Sequence, residues 1–193
     1  GKLPGAGAPG SGPECDISSR SFRRPMISFK MCMVGSYAVG KTSLVDRFVR
    51  SIYSDKYHTT IGVKIDKKQV STASGDASCL IWDIAGEDEF YTVRNSYLRG
   101  MAGYFMVLDA TRRVSLDTAI GIQERIKITF PNVPFILLLN KVDLVGEQEI
   151  DMSDLGYFDE RRCRIVQTSA KTGEGVEQAF ESLVTSMVAR RAG

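Results

Sequence analysis

Gly35-Ser36-Tyr37-Ala38-Val39-Gly40-Lys41-Thr42 constrains this chain more than any other stretch. An apolar run over residues 29–34 precedes it, and Leu44, Val45, Phe48 and Val49 follow at helical spacing. A glycine-bearing loop that leaves a strand and opens a helix on Gly-Lys-Thr is the pattern that cradles phosphate oxygens. Its glycines let successive backbone N–H groups turn inward, and the helix start adds the positive end of a dipole. In such a loop Lys41 reaches the outer phosphates, and the Thr42 hydroxyl is placed to ligate Mg²⁺. Gly35, Tyr37, Ala38, Val39, Gly40 and Ser43 complete the expected phosphate-binding set.

The rest of the composition narrows the setting. A chain of 193 residues suits one domain with a real core. Its formal net charge of +2 lacks the basic excess expected of a nucleic-acid binder. Cys15, Cys32, Cys79 and Cys163 are scattered with no C-x-x-C pair, and Cys32 and Cys79 fall in apolar runs, as small core residues do. The reading is a reducing, cytoplasmic protein without zinc. His58 is the lone histidine and cannot make a histidine metal cluster by itself. The longest apolar run, residues 133–139, is far short of the roughly 18 residues that span a bilayer, and reads as a buried strand.

Residues 1–25, rich in Gly, Pro and Ser, are expected to form a disordered leader, either native or an expression or gene-calling extension ahead of a natural start at Met26. They have no apolar core of a secretory signal, and Arg20, Arg23 and Arg24 read as a solvated basic tail. Residues 26–193 form the folded domain. There strand and helix patterns alternate, which implies an α/β fold with a largely parallel sheet covered on both faces. Strands are predicted at 29–34, 63–70, 77–82, 104–108, 135–139 and 164–167, the second and third joined as an antiparallel hairpin by Ala73-Ser74-Gly75-Asp76. Helices are predicted at 41–50, around Leu116, Ala119 and Ile120, and along the stripe from Val176 to Val188, with one short helix between 145 and 163.

Three further motifs follow predicted strands. Asp83 in Trp82-Asp83-Ile84-Ala85-Gly86-Glu87 can hold Mg²⁺ through a water, and Gly86 can offer its N–H to a terminal phosphate. In Asn140-Lys141-Val142-Asp143 a carboxylate can accept both N1–H and the exocyclic amino group of guanine, donors that adenine does not display in that arrangement. After Thr168, the loop Ser169-Ala170-Lys171 can present a backbone N–H to guanine O6. Each is weak alone. Together, in this order and at strand carboxyl ends, they sit where open α/β sheets bind ligands.

With these motifs the chain resembles the Ras superfamily of small GTP-binding proteins over residues 27–190, and within it the Rab family. Thr59-Thr60-Ile61-Gly62-Val63 resembles the first Rab switch, and Tyr97-Leu98-Arg99-Gly100 with Asp109-Ala110-Thr111 resembles the second-switch helix and the strand after it. The resemblance implies a phosphate-loop G domain: a six-stranded, mostly parallel sheet with one antiparallel edge hairpin and about five helices. It implies GTP or GDP as ligand with Mg²⁺, and two switch segments that order around the γ-phosphate. Carried over by motif, Thr60 joins Thr42 and Asp83 as metal-binding residues, and Gly86 senses the γ-phosphate. Tyr53 matches the aromatic that packs on guanine, and Tyr57 the tyrosine that closes over the phosphates. Effectors, exchange factors and activators are implied as partners of the switches, with the chain itself a monomer.

The departures from that pattern concern the reaction. Glu87 stands where most of the family has the Gln that orients the attacking water. A carboxylate can orient water, yet it puts negative charge beside an anionic phosphate; the sign of its effect stays open, and a solvated acidic loop of Glu87, Asp88 and Glu89 is the plain alternative. Tyr37 occupies a loop position that is usually Gly or small, and its ring crowds the approach of an activator's arginine finger. Ile65 replaces an aromatic of the Rab effector surface, leaving Trp82 and Tyr97. The sequence stops at Arg190-Arg191-Ala192-Gly193 with no cysteine after Cys163, so no lipid anchor is read. These traits look like those of bacterial small GTPases. Two readings follow: a switch that hydrolyses GTP slowly, with Glu87, Lys41 and Gly86 at the chemistry, and a pseudo-GTPase scaffold that binds guanine nucleotide without significant hydrolysis.

Overall fold

The apolar run before the phosphate loop belongs to β1 (Ile27–Gly35), which lies inside a six-stranded sheet in a computed structural model describing residues 1, 27–54, 59–72, 75–87 and 92–192. The leader, Tyr57, His58, Cys15, Asp88, Glu89 and the turn residues Ala73 and Ser74 lie outside the described residues. The other strands are β2 (Val63–Thr72), β3 (Gly75–Ile84), β4 (Gly103–Asp109), β5 (Phe135–Asn140) and β6 (Arg164–Thr168). Their spatial order is β2-β3-β1-β4-β5-β6, parallel throughout except for β2 against β3. Every residue of β4 is buried, as expected for a central parallel strand covered on both faces. The edge strand β2 has mainly exposed and half-buried positions instead.

Among the described residues five helices cover the sheet: α1 (Lys41–Arg50), α2 (Asn95–Leu98), α3 (Val114–Thr129), α4 (Gly156–Asp159) and α5 (Val176–Ala192). One core cluster packs α1 and α5 on one face, and a second packs α2, α3 and α4 on the other. The predicted stripe of α5 is buried from Val176 through Met187. Phe48 of α1 stacks on Phe180 of α5 with centroids 3.8 Å apart, and Phe105 of β4 tilts against the same ring at 4.6 Å. Burying each such ring stabilises the fold by about 1.5–3 kcal/mol. α3 turns a partly polar face inward, and its buried Gln123 accepts a hydrogen bond from the Tyr104 hydroxyl at 2.7 Å, which satisfies both groups. The irregular stretch before β6 holds a 3₁₀ turn (Met152–Leu155) capped reciprocally by Asp151 and Asp154, running into α4.

Register places the motifs on one edge. Met33 pairs with Asp83, Asp109 with Asn140, and Asn140 with Thr168. The polar residues that end β4, β5 and β6 are therefore neighbours in register, while Asp83 near the end of β3 lies on the far side of β1.

Candidate functional site

That edge opens onto a cavity of about 360 Å³, lined among others by Lys41, Thr42, Thr60, Asn140, Asp143 and Lys171. Of the remaining residues expected to bind nucleotide, Tyr37, Ala38, Gly40, Ser43, Tyr53, Gly86, Lys141 and Ala170 line it as well. Gly35, Val39, Asp83, Ser169 and Glu87 stand behind the lining and act through contacts. Tyr57 falls outside the described residues.

The phosphate loop closes onto α1 at Gly40, whose φ of +97° suits glycine, and a Cβ there would lie 2.4 Å from the Asn140 side-chain nitrogen. Inside the loop Lys41 is buried, and its Nζ donates to Ser36 O at 2.9 Å and Gly35 O at 3.2 Å. Burial pushes the Lys41 ammonium down to about 8; Asp83 and Glu87 pull it upward and Arg112 lowers it further. An ammonium with that deficit of solvation is suited to the oxygens of a polyphosphate.

Three oxygen donors meet beside it. The Thr42 hydroxyl donates to Asp83 Oδ2 at 2.6 Å, the Thr60 hydroxyl donates to the same oxygen at 3.2 Å, and the two hydroxyl oxygens are 2.8 Å apart. Asp83 Oδ1 is buried without a hydrogen-bond partner. Burial raises the Asp83 carboxyl above its usual range, against the Thr42 hydrogen bond and the charge of Lys41. A buried carboxylate with one unsatisfied oxygen, next to two hydroxyls, is the hard-oxygen set that fits Mg²⁺.

The loop after β5 is tied to the loop between β1 and α1. Asn140 Nδ2 donates to Val39 O at 2.9 Å, while its Oδ1 accepts from Ala170 N–H and from the Thr168 hydroxyl, both at 3.3 Å. The buried Ser169 hydroxyl donates to Asp143 Oδ1 at 2.6 Å and aims that carboxylate. Lys141, at φ +68°, donates from Nζ to the fully buried Asp109 at 2.6 Å.

Glu87 differs from the solvated acidic loop considered above. Only 7% exposed, its carboxylate accepts from Val93 N–H at 2.7 Å and pairs with Arg125 of α3. Tyr37 reaches outward instead, 41% exposed, with its hydroxyl 3.2 Å from the Thr59 hydroxyl across the cavity.

Residues 30–189 match the model of the Ras family. The chain belongs to the Ras family. It is 33% identical over 162 residues to Ras-related protein Rab-1 of Theileria annulata, covering 82% of this chain and 74% of that protein. To Ras-related protein Rab-4B of Homo sapiens it is 34% identical over 154 residues, 79% of this chain and 72% of that one. To Ras-related protein Rab-1A of Dictyostelium discoideum it is 33% identical over 161 residues, 82% and 80% of the two. Within the Ras family it is Rab-like, and the six-stranded sheet with one antiparallel pair is the G-domain architecture that the resemblance implied.

Sequence reasoning missed the arginines that brace this Ras-family site. Arg47 of α1 donates to Ala170 O at 2.7 Å and to Lys171 O, holding the base loop against the first helix. Arg112 donates to Tyr37 O at 2.9 Å and to Ser36 Oγ at 3.2 Å, holding the phosphate loop from outside. Arg125 grips Glu87. No local motif marks them, because each acts on a segment distant in the chain. At the expected effector surface Ile65 is exposed, and the Lys30 ammonium sits 3.5 Å from the centre of the Trp82 ring.

Proposed function

We propose that this chain is a guanine-nucleotide switch that binds GTP and GDP with Mg²⁺ and hydrolyses GTP slowly. The observation that carries the reading is one cavity bringing Lys41, Thr42 and Thr60 to one end and Asn140 and Asp143 to the other, joined by the Asn140 to Val39 hydrogen bond. Membership of the Ras family supports GTP binding and GTPase activity in general. Asp143 accepts the guanine N1–H and amino group, and a backbone N–H of the loop Ser169-Ala170-Lys171 meets O6. Tyr53 packs against the base. Thr42, Thr60 and Asp83 would hold Mg²⁺, which would supply positive charge to offset that of the phosphates. Lys41 offsets the same charge from the loop side, and the N–H of Gly86 reports the terminal phosphate.

The slow rate follows from two side chains. Glu87 must release Arg125 and Val93 N–H before its carboxylate can orient water at the γ-phosphorus, and once free it faces an anion. Tyr37 stands where an activator's arginine finger would enter, so such activators stimulate poorly. The scaffold reading draws on the same withdrawal of Glu87: a chain that never frees this carboxylate binds nucleotide without turnover. Effectors, exchange factors and activators engage residues 51–63 and 85–97. The chain is monomeric and cytoplasmic; the thiols of Cys32, Cys79 and Cys163, free among the described residues, suit a reducing compartment.

Single-turnover hydrolysis with Mg²⁺ separates the readings, comparing the native chain with Glu87→Gln and Tyr37→Gly. Conversion to GDP within minutes to hours, altered by either substitution, supports the slow switch. GTP left intact through many hours by the native chain favours the scaffold.

A further inference from the structure

The segment after β3 is hydrogen-bonded onto the phosphate loop. Glu87 N–H donates to Gly35 O at 3.2 Å and Tyr37 N–H donates to Glu87 O at 2.8 Å, a single parallel bridge between Ser36 and Glu87. This bridge presses Gly86 into the loop: a Cβ there would lie 2.6 Å from Ser36 O and from the Tyr37 Cα, and 2.7 Å from Lys41 Nζ. Gly86 is thus packed directly against the Lys41 ammonium, which leaves little room for a phosphoryl group between them. A terminal phosphate that takes Lys41 Nζ and the Gly86 N–H must therefore push Gly86 away and break the bridge.

What resists that movement is the Glu87 side chain. Its carboxylate is anchored on two sides, by Val93 N–H and by Arg125, which projects from the rigid helix α3. The two backbone hydrogen bonds of the bridge belong to Glu87 itself, so fixing its carboxylate fixes the bridge. Arg125 touches neither the cavity nor the loop, and its guanidinium is about half exposed.

Resting on the guanine-nucleotide reading above, we infer that Arg125 is a positioning residue that sets the preference for diphosphate over triphosphate, by holding Glu87 so that Gly86 occupies space the γ-phosphate needs. A ligand shifts such an equilibrium only by its differential affinity for the two arrangements. GDP, lacking the third phosphate, binds with the bridge closed. GTP binds only with it open and bears the cost of breaking the Glu87 to Arg125 pair.

The test is competition of GDP and of a non-hydrolysable GTP analogue against fluorescent GDP on the full chain with Mg²⁺, for native, Arg125→Ala, Arg125→Glu and Arg125→Lys. Loss of a half-exposed charge pair predicts affinity for the GTP analogue rising roughly three- to tenfold relative to GDP in Arg125→Ala. Affinity for GDP should stay within about twofold. The ratio should rise at least as far in Arg125→Glu and return toward the native value in Arg125→Lys. A merely structural role would weaken both nucleotides together, and that outcome overturns the inference, as does an unchanged ratio. A native chain that takes up neither nucleotide overturns the guanine-nucleotide reading and this inference with it.

Discussion

The side-chain amide of Asn140 donates to the main-chain carbonyl of Val39 at 2.9 Å, fastening the loop after β5 to the loop between β1 and α1. The same side chain accepts from Ala170 N–H through its other atom, so three segments distant in the chain share one buried amide. The two ends of the cavity are thereby set at one separation, and on the proposed nucleotide reading this lowers the ordering cost of binding.

Asn140→Ala should therefore act on both subsites at once. Leaving the Val39 carbonyl and the Ala170 N–H without this partner costs roughly 1–3 kcal/mol for each buried group left unsatisfied. The expected result is a lower thermal midpoint, with affinities for GDP and GTP falling in parallel. A loss confined to one nucleotide in a titration would contradict the shared tie.

Asp143→Asn should separate recognition from stability. Asparagine keeps an acceptor for the Ser169 hydroxyl, now 2.6 Å from the carboxylate, so the fold is little affected. It cannot accept two guanine donors as a charged group does, and charge-assisted hydrogen bonds contribute about 1.5–3 kcal/mol. Preference for GTP over ATP in competitive binding should fall by roughly ten- to a hundredfold.

The phosphate-loop string and the strings at residues 140–143 and 168–171 were legible as strand-end loops, because each is a contiguous pattern, and the fold brings them to one cavity. Helix α1 begins and ends where the spacing of Leu44, Val45, Phe48 and Val49 put it. The strands extend past their apolar runs at Asp83, Asp109 and Asn140. These side chains look like loop residues in sequence, but their backbones are paired in the ladder. In α3 the buried face includes Ser115 and Gln123 beside Leu116 and Ala119, while Ile120 is half-buried, a face that apolar spacing alone does not define. Arg47, Arg112 and Arg125 were not legible. Their partners Ala170, Tyr37 and Glu87 lie 123, 75 and 38 residues away along the chain, a proximity only the sheet order creates. Glu87 stood out in the sequence as a departure; what its carboxylate does depends on Arg125.

Thr42→Ala should uncouple nucleotide affinity from the metal. Its hydroxyl contacts both Asp83 and Thr60, so its loss removes one oxygen donor and a hydrogen bond that opposes the upward push of burial on the Asp83 carboxyl. In the native chain, chelating Mg²⁺ with EDTA should speed release of fluorescent GDP at least about tenfold, since one oxygen contact to a charged group is already worth that much. In Thr42→Ala, release should be fast with or without EDTA.

The sheet itself makes a prediction about thiols. Burial raises Cys32 to about 12 and Cys79 and Cys163 to about 11, so between pH 7 and 9 these groups stay as unreactive thiols in the native chain. Thiolate appears only as the pH passes those raised values or as the chain unfolds and each returns to its ordinary value. Alkylation at pH 8 followed by mass spectrometry should label all three slowly when native and completely in denaturant.

The central claim is that occupancy of this cavity changes the surface on either side of it. Hydrogen exchange followed by mass spectrometry on the Mg²⁺-loaded chain, with GDP and then with a non-hydrolysable GTP analogue, tests that most directly. The account predicts altered protection confined mainly to residues 51–63 and 85–97, with β4, β5 and α5 unchanged between the two nucleotides. Identical exchange in both states, with both nucleotides bound, would contradict a switch.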